Sequence, residues 1–136
     1  MSAREIKSLA RSLLDLCKMR KLTVATAESC TGGLVCAALV DIPGSSAVVA
    51  SGFITYSNEA KHDILGVTNQ ILATFGAVSK ESALGMAKGA LKKSKADLTV
   101  SVTGIAGPGG ATPGKPVGLV HLAAASRYGR TISREK

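Results

Sequence analysis

A hydroxyl residue just ahead of a pair of glycines is the first chemical signal in the chain: Thr26-Ala27-Glu28-Ser29-Cys30-Thr31-Gly32-Gly33. A β-prone run, Thr23 to Ala27, leads into it, and an apolar segment, Leu34 to Val40, leaves it and reads as a buried helix. A strand-to-helix turn of this kind exposes a serine hydroxyl much as a nucleophile elbow does, although the G-x-S-x-G spacing is absent. Amides at the start of the following helix lack intrahelical acceptors, and those of Cys30 and Thr31 are the natural donors to a developing oxyanion. Gly32 and Gly33 let a substrate come close to the backbone. The same residues also read as an ordinary hydroxyl helix cap, and the local pattern alone favours the cap. Cys30 is a second potential nucleophile. Against it, no basic residue stands near in sequence, and small buried cysteines are common.

Two further segments carry chemistry. In Tyr56-Ser57-Asn58-Glu59-Ala60-Lys61 a tyrosine ends a strand and a lysine falls near the start of the next helix. A cation is misplaced at a helix N-terminus, so the pKa of Lys61 is expected to fall, and further if the site is buried. A neutral lysine can take a proton from serine, which makes a Ser-Lys pair. The alternative is a surface lysine paired with Glu59 or Asp63. The loop Thr103-Gly104-Ile105-Ala106-Gly107-Pro108-Gly109-Gly110 follows the apolar strand Leu98 to Val102. Backbone amides around Thr103, Gly104, Gly107, Gly109 and Gly110 can form an anion nest suited to phosphate. It is not a Walker A loop, because no Lys-Ser/Thr pair follows the glycines. An ordinary mobile loop is the alternative.

The elements that must hold these residues are legible in outline. The 136 residues suit one domain. Residues 4–20 have helical periodicity, with Ile6, Leu9, Leu13, Leu14 and Cys17 as the apolar face. Val48 to Tyr56 reads as a strand. Asn58 is expected to cap a helix from Glu59 to Leu65 that stops at Gly66, and Thr68 another from Asn69 to Thr74. Ser79 or Lys80 starts a longer helix ending near Lys93. Val117 to Ala125 is a further strand, and the tail an edge strand or an ordered fragment only. Alternating helices and strands indicate α/β layering. The chain is 46% apolar, mostly small aliphatics, with 15 glycines, which suits helices packed closely on a sheet.

The formal charge is +8, gathered near Lys18–Lys21, Lys88–Lys95 and the tail, where solvated helix ends explain it and an anionic partner would profit from it. With two Phe, two Tyr and no Trp there is no stacking platform, so nucleic acid is not an expected partner. Cys17, Cys30 and Cys36 have neither disulfide-framework nor zinc spacing, and free thiols fit a reducing compartment. No secretory pattern or apolar run of roughly 18 residues occurs, so a soluble cytoplasmic protein without membrane association is expected.

Taken in order, A-E-S-C-T-G-G (Ala27–Gly33), G-F-I-T-Y-S-N-E-A-K (Gly52–Lys61), G-A-V-S (Gly76–Ser79) and T-G-I-A-G-P-G-G (Thr103–Gly110) resemble the CinA C-terminal-domain family, the competence/damage-inducible proteins. The resemblance spans roughly Leu9 to Ser126. It implies a three-layer α/β/α sandwich with a mixed sheet in a single domain, 1–136. It also implies hydrolysis of nicotinamide mononucleotide to nicotinate mononucleotide and ammonia, without metal or cofactor. On the matching positions it makes Ser29 the nucleophile, Lys61 the general base, Tyr56 their support and the glycine loop a wall of the nucleotide pocket. A small nucleotide substrate and a homo-oligomer are the implied partners. Family sequences continue with an F-x-G-x-R segment, whose arginine serves the active site, and a closing helix. This sequence ends at Ser133-Arg134-Glu135-Lys136, so a domain lacking that closing segment is expected. The rival expectation is a non-catalytic oligomerising or nucleic-acid-associated domain.

Overall fold

The computed structural model describes residues 1–136. Helix α1 (Ala3–Arg20) begins with a reciprocal cap: the Ser2 side chain accepts from the Glu5 amide, and Glu5 accepts from the Ser2 amide. It stops at Lys21, which takes the left-handed conformation at φ 55°. Strand β1 (Val24–Glu28), helix α2 (Leu34–Val40), a 3-10 turn (Ser45–Ala47) and strand β2 (Val49–Ile54) follow. Three helices come next: α3 (Asn58–Leu65), α4 (Asn69–Phe75) and α5 (Lys80–Ser94). Strands β3 (Leu98–Gly104), β4 (Val120–Ser126) and β5 (Thr131–Glu135) complete the chain.

The strands form one mixed sheet in the order β2-β1-β3-β4-β5. Strand β1 lies parallel to both β2 and β3, and the pairs β3–β4 and β4–β5 are antiparallel. Side chains alternate across a strand, so successive residues of β1 meet different layers. Val24 packs with Ala10, Leu14 and Cys17 of α1 and Leu39 of α2. Ala27 packs with Leu65, Met86 and Ala90 of α3 and α5. The result is the expected α/β/α sandwich.

Small residues bring α5 close to the sheet. Ala83 and Ala87 pack on Ala123 and Ala125 of β4. The hydroxyls of Thr99 and Ser101 donate to the carbonyls of Ala87 (2.7 Å) and Ala83 (2.6 Å), so the polar positions of β3 are satisfied although buried. At Gly89 a Cβ would overlap the Leu65 carbonyl. Only glycine there lets the end of α3 rest directly on α5.

Several expectations change. Of the apolar residues expected to face the core from α1, Leu14 and Cys17 are buried, whereas Ile6, Leu9 and Leu13 are exposed. The stripe that packs is Ala10-Leu14-Cys17, because α1 and α2 cover only part of their face of the sheet. Beside them a groove of about 730 Å³ stays open, lined by Leu13, Leu39, Val100, Ala124 and Ile132 among others. For the same reason α2 is not a buried helix: Leu39 is its one buried residue, and Leu34 is 72% exposed. Ser57, not Asn58, caps α3, its side chain accepting from the Ala60 amide at 3.0 Å. Strand β4 starts at Val120 rather than Val117, since a turn with Gly118 at φ 94° precedes it.

Candidate active site

Three parallel strand ends meet at one edge of the sheet. Glu28 pairs with Ile54 on one side and Val102 on the other. The backbone contacts continue past β1: the Ser29 amide donates to the Val102 carbonyl (2.9 Å), and the Thr55 amide to the Glu28 carbonyl (2.8 Å). Open α/β sheets present ligand sites at such carboxyl ends. Strand alternation turns Glu28 toward α2 and Ser29 toward α3.

Helix α3 starts directly after Tyr56, so Lys61 falls one turn in, level with Ser29. The Lys61 Nζ donates to Ser29 Oγ at 2.9 Å and to the Tyr56 carbonyl at 2.8 Å. Ser29 Oγ lies 3.4 Å from that same carbonyl. Lys61 is 1% exposed and Ser29 7%. The two salt bridges of the chain, Lys7–Asp41 and Arg127–Asp97, leave Lys61 without a carboxylate. Burial therefore pushes its pKa below the ordinary lysine value. An unprotonated amine at this position has a lone pair to offer the serine hydroxyl.

Tyr56, expected to support the pair, meets Lys61 with its main-chain carbonyl. Its side chain is 72% exposed. Cys30 remains a thiol, since burial pushes its pKa up.

The turn after β1 partitions its amides sharply. From Ser29 to Ala37, only the amides of Cys30 and Thr31 find no oxygen acceptor within the chain, and both face the Cys30 sulfur. Gly32 donates to the Ser29 carbonyl (3.1 Å) and Leu34 to the Thr31 carbonyl (3.0 Å). The terminal amides of α2 were expected to be open, but Glu28 takes them. Its Oε1 accepts from Thr31 Oγ1 (2.6 Å), Gly33 N (3.1 Å) and Val35 N (2.9 Å), and its Oε2 from Cys36 N (3.0 Å). Hydrogen bonds to a charged acceptor contribute roughly 1.5–3 kcal/mol each. Gly32 and Gly33, expected to admit substrate, sit at φ 57° and 105°, so the turn itself requires glycine. A Cβ at Gly33 would meet Ile54 at 3.1 Å, while Gly32 faces open space.

The sequence pattern alone assigns no role to Glu28. Its signal was an acidic residue ending an apolar strand, just before a helix start whose amides need an acceptor.

The glycine loop after β3 is built differently. Thr103 is buried and its hydroxyl donates to the Ala77 carbonyl (2.9 Å), so the side chain holds structure rather than ligand. Gly104 allows the two ends of the loop to approach: a Cβ would meet the Leu119 carbonyl at 2.8 Å. Ile105 N donates to Leu119 O (2.9 Å) and Gly118 N to Ile105 O (2.7 Å). Between these ties, the amides of Ala106, Gly107, Gly109, Gly110 and Ala111 donate to no acceptor in the chain. Lys115 pins the far side of the loop to the Phe75 carbonyl. No three His, Cys, Asp or Glu side chains gather as a set of metal ligands, and no helix is long and apolar enough to cross a membrane.

A sequence model described as the CinA C-terminal domain matches residues 6–136. Over 136 residues the chain is 48% identical to the nicotinamide-nucleotide amidohydrolase PncC of Escherichia coli and covers 82% of it. A putative competence-damage inducible protein of Caldicellulosiruptor saccharolyticus is 52% identical over 121 residues, and the chain spans 29% of its length. Among solved structures, the competence/damage inducible protein CihA from Agrobacterium tumefaciens superposes with a TM-score of 0.94 at 56% identity, over 96% of this chain and 79% of that one.

Proposed function

The chain belongs to the CinA C-terminal domain family, and from that premise we propose that it is an amidohydrolase converting nicotinamide mononucleotide to nicotinate mononucleotide and ammonia. The observation that supports this most is the 2.9 Å contact between the buried amine of Lys61 and Ser29 Oγ. In this reading Lys61 is neutral before the reaction. It accepts the Ser29 proton as Oγ attacks the carboxamide carbon. The pyridinium ring withdraws electrons and makes that carbon more electrophilic. The oxyanion that forms takes the two open amides, Cys30 and Thr31. Lys61 then returns its proton to the amide nitrogen, the C–N bond breaks, and ammonia leaves an acyl-serine. Water, deprotonated by the same amine, attacks the ester. Ser29 regains its proton and the carboxylate product departs. Through both halves the Tyr56 carbonyl accepts from Lys61 and keeps the amine aimed at Ser29. The substrate phosphate meets the open amides of the loop after Ala106.

The direct test is ammonia release from nicotinamide mononucleotide by the purified chain, with nicotinate mononucleotide formed in equal amount. A folded chain that releases no ammonia from pyridine-nucleotide amides would remove this reading.

A further inference from the structure

We propose that Glu28 is the positioning residue of the oxyanion site, its carboxylate clamping the turn from behind so that the Cys30 and Thr31 amides stay open and aimed at the carbonyl attacked by Ser29. The inference rests on the deamidase reading above and gives a role to a residue that the catalytic steps do not use.

Glu28 is 1% exposed and takes part in neither salt bridge. A buried carboxylate without a counter-charge persists only if donors surround it. Here those donors are three amides and one hydroxyl drawn from Thr31, Gly33, Val35 and Cys36. Burial pushes the carboxyl upward, but the bonds from Thr31, Cys36, Val35 and Gly33 outweigh it and hold the group below the usual range, so it is an anion at neutral pH.

Two consequences follow from this geometry. The α2 terminal amides are occupied, so an oxyanion arriving at Ser29 meets Cys30 and Thr31 and no competing donor. The grip also spans the Gly32-Gly33 pair, whose φ of 57° and 105° any freer turn would abandon easily. Because Glu28 ends β1 and Ser29 follows it facing the other side, the clamp lies behind the turn and the reacting atoms in front of it. Every contact of Glu28 is with a donor, so a carboxamide cannot replace the carboxylate. In either orientation its NH2 faces an N–H or O–H.

The test is steady-state deamidation of nicotinamide mononucleotide by the full chain, with wild type, Glu28→Gln and Thr31→Val compared and thermal unfolding recorded for each. An interaction that matters when charge develops changes kcat and spares KM. Glu28→Gln is expected to lower kcat about 10²–10³-fold with KM within about threefold. The limb of the pH–rate profile that belongs to Lys61 should not move. Thr31→Val removes one contact and leaves the amides, and should cost about three- to tenfold in kcat. A folded Glu28→Gln enzyme with kcat within about threefold of wild type overturns the inference, as does a rate loss that displaces the pH limb. Should Glu28→Gln fail to fold, Thr31→Val decides, and an unchanged kcat counts against the clamp. A wild-type chain that releases no ammonia overturns the deamidase reading and this inference together. An active wild type with an equally active Glu28→Gln overturns the inference alone.

Discussion

Two glycine-bearing connections leave adjacent parallel strands, and they spend their backbone donors in opposite ways. After β1, all but two amides between Ser29 and Ala37 are committed within the chain, four of the bonds in that turn ending on one carboxylate. After β3, the N–H groups of Ala106, Gly107, Gly109, Gly110 and Ala111 are uncommitted, and the loop is tied mainly at its two ends and through Lys115. Similar composition therefore serves two purposes. A turn whose donors are fixed in advance needs no reorganisation when charge appears, which is where electrostatic catalysis gains most. A loop with open donors can fit itself to a ligand already carrying charge. The first is expected to govern kcat and the second KM.

That division can be broken at several points. Ser29→Ala should have the largest effect, a loss of about 10⁴-fold or more in turnover with substrate binding retained, measured as ammonia release and by equilibrium titration. Lys61→Met should lower kcat about 10²–10⁴-fold. It also has a signature in stability. The folded-state pKa of Lys61 lies below its unfolded value, so the unfolded chain binds more protons between the two. Stability should rise with pH across that window in wild type and fall as pH drops through the depressed value. In Lys61→Met this component of the slope should vanish, as denaturant midpoints taken along a pH series would reveal.

On the loop, Gly107→Ala places a Cβ 2.6 Å from Val117 at φ 79°, and should raise KM about tenfold while kcat changes little. If it lowers kcat as far as Lys61→Met does and spares KM, the division between turn and loop is wrong. Lys115→Ala, which frees the loop from the Phe75 carbonyl, should have the smallest effect: a KM change of a few-fold, with stability within about 0.5 kcal/mol.

How much of this was legible in the sequence depended on how local the physics is. The caps at Thr68 and Ser79 and the stop at Gly66 involve partners a few residues away, and they were readable. So was the alternation that builds the sandwich. The 32-residue span from Ser29 to Lys61 is closed by β1–β2 pairing, which no local pattern encodes. Helix α1 carries two apolar stripes, and only the position of the sheet decides which one packs. Tyr56 shows a further blind spot. A sequence displays side chains, and here the atom that meets Lys61 is a carbonyl oxygen.

The pairing of Glu28 with Ile54 has a consequence for how such a site can change over time. It sets the backbone of Ser29 and that of Lys61 apart by one strand spacing, about 4.8 Å, and one helical turn, about 5.4 Å of rise. Both lengths are constants of the polypeptide backbone, indifferent to which side chains line the pocket. Inheritance or engineering can therefore redraw the loop beyond Ala106 while the spacing of Ser29 and Lys61 is carried over. On the proposed amidase reading, the route to a new amide substrate runs through the loop, with the distance between Ser29 and Lys61 as the fixed gauge against which each new loop is tried.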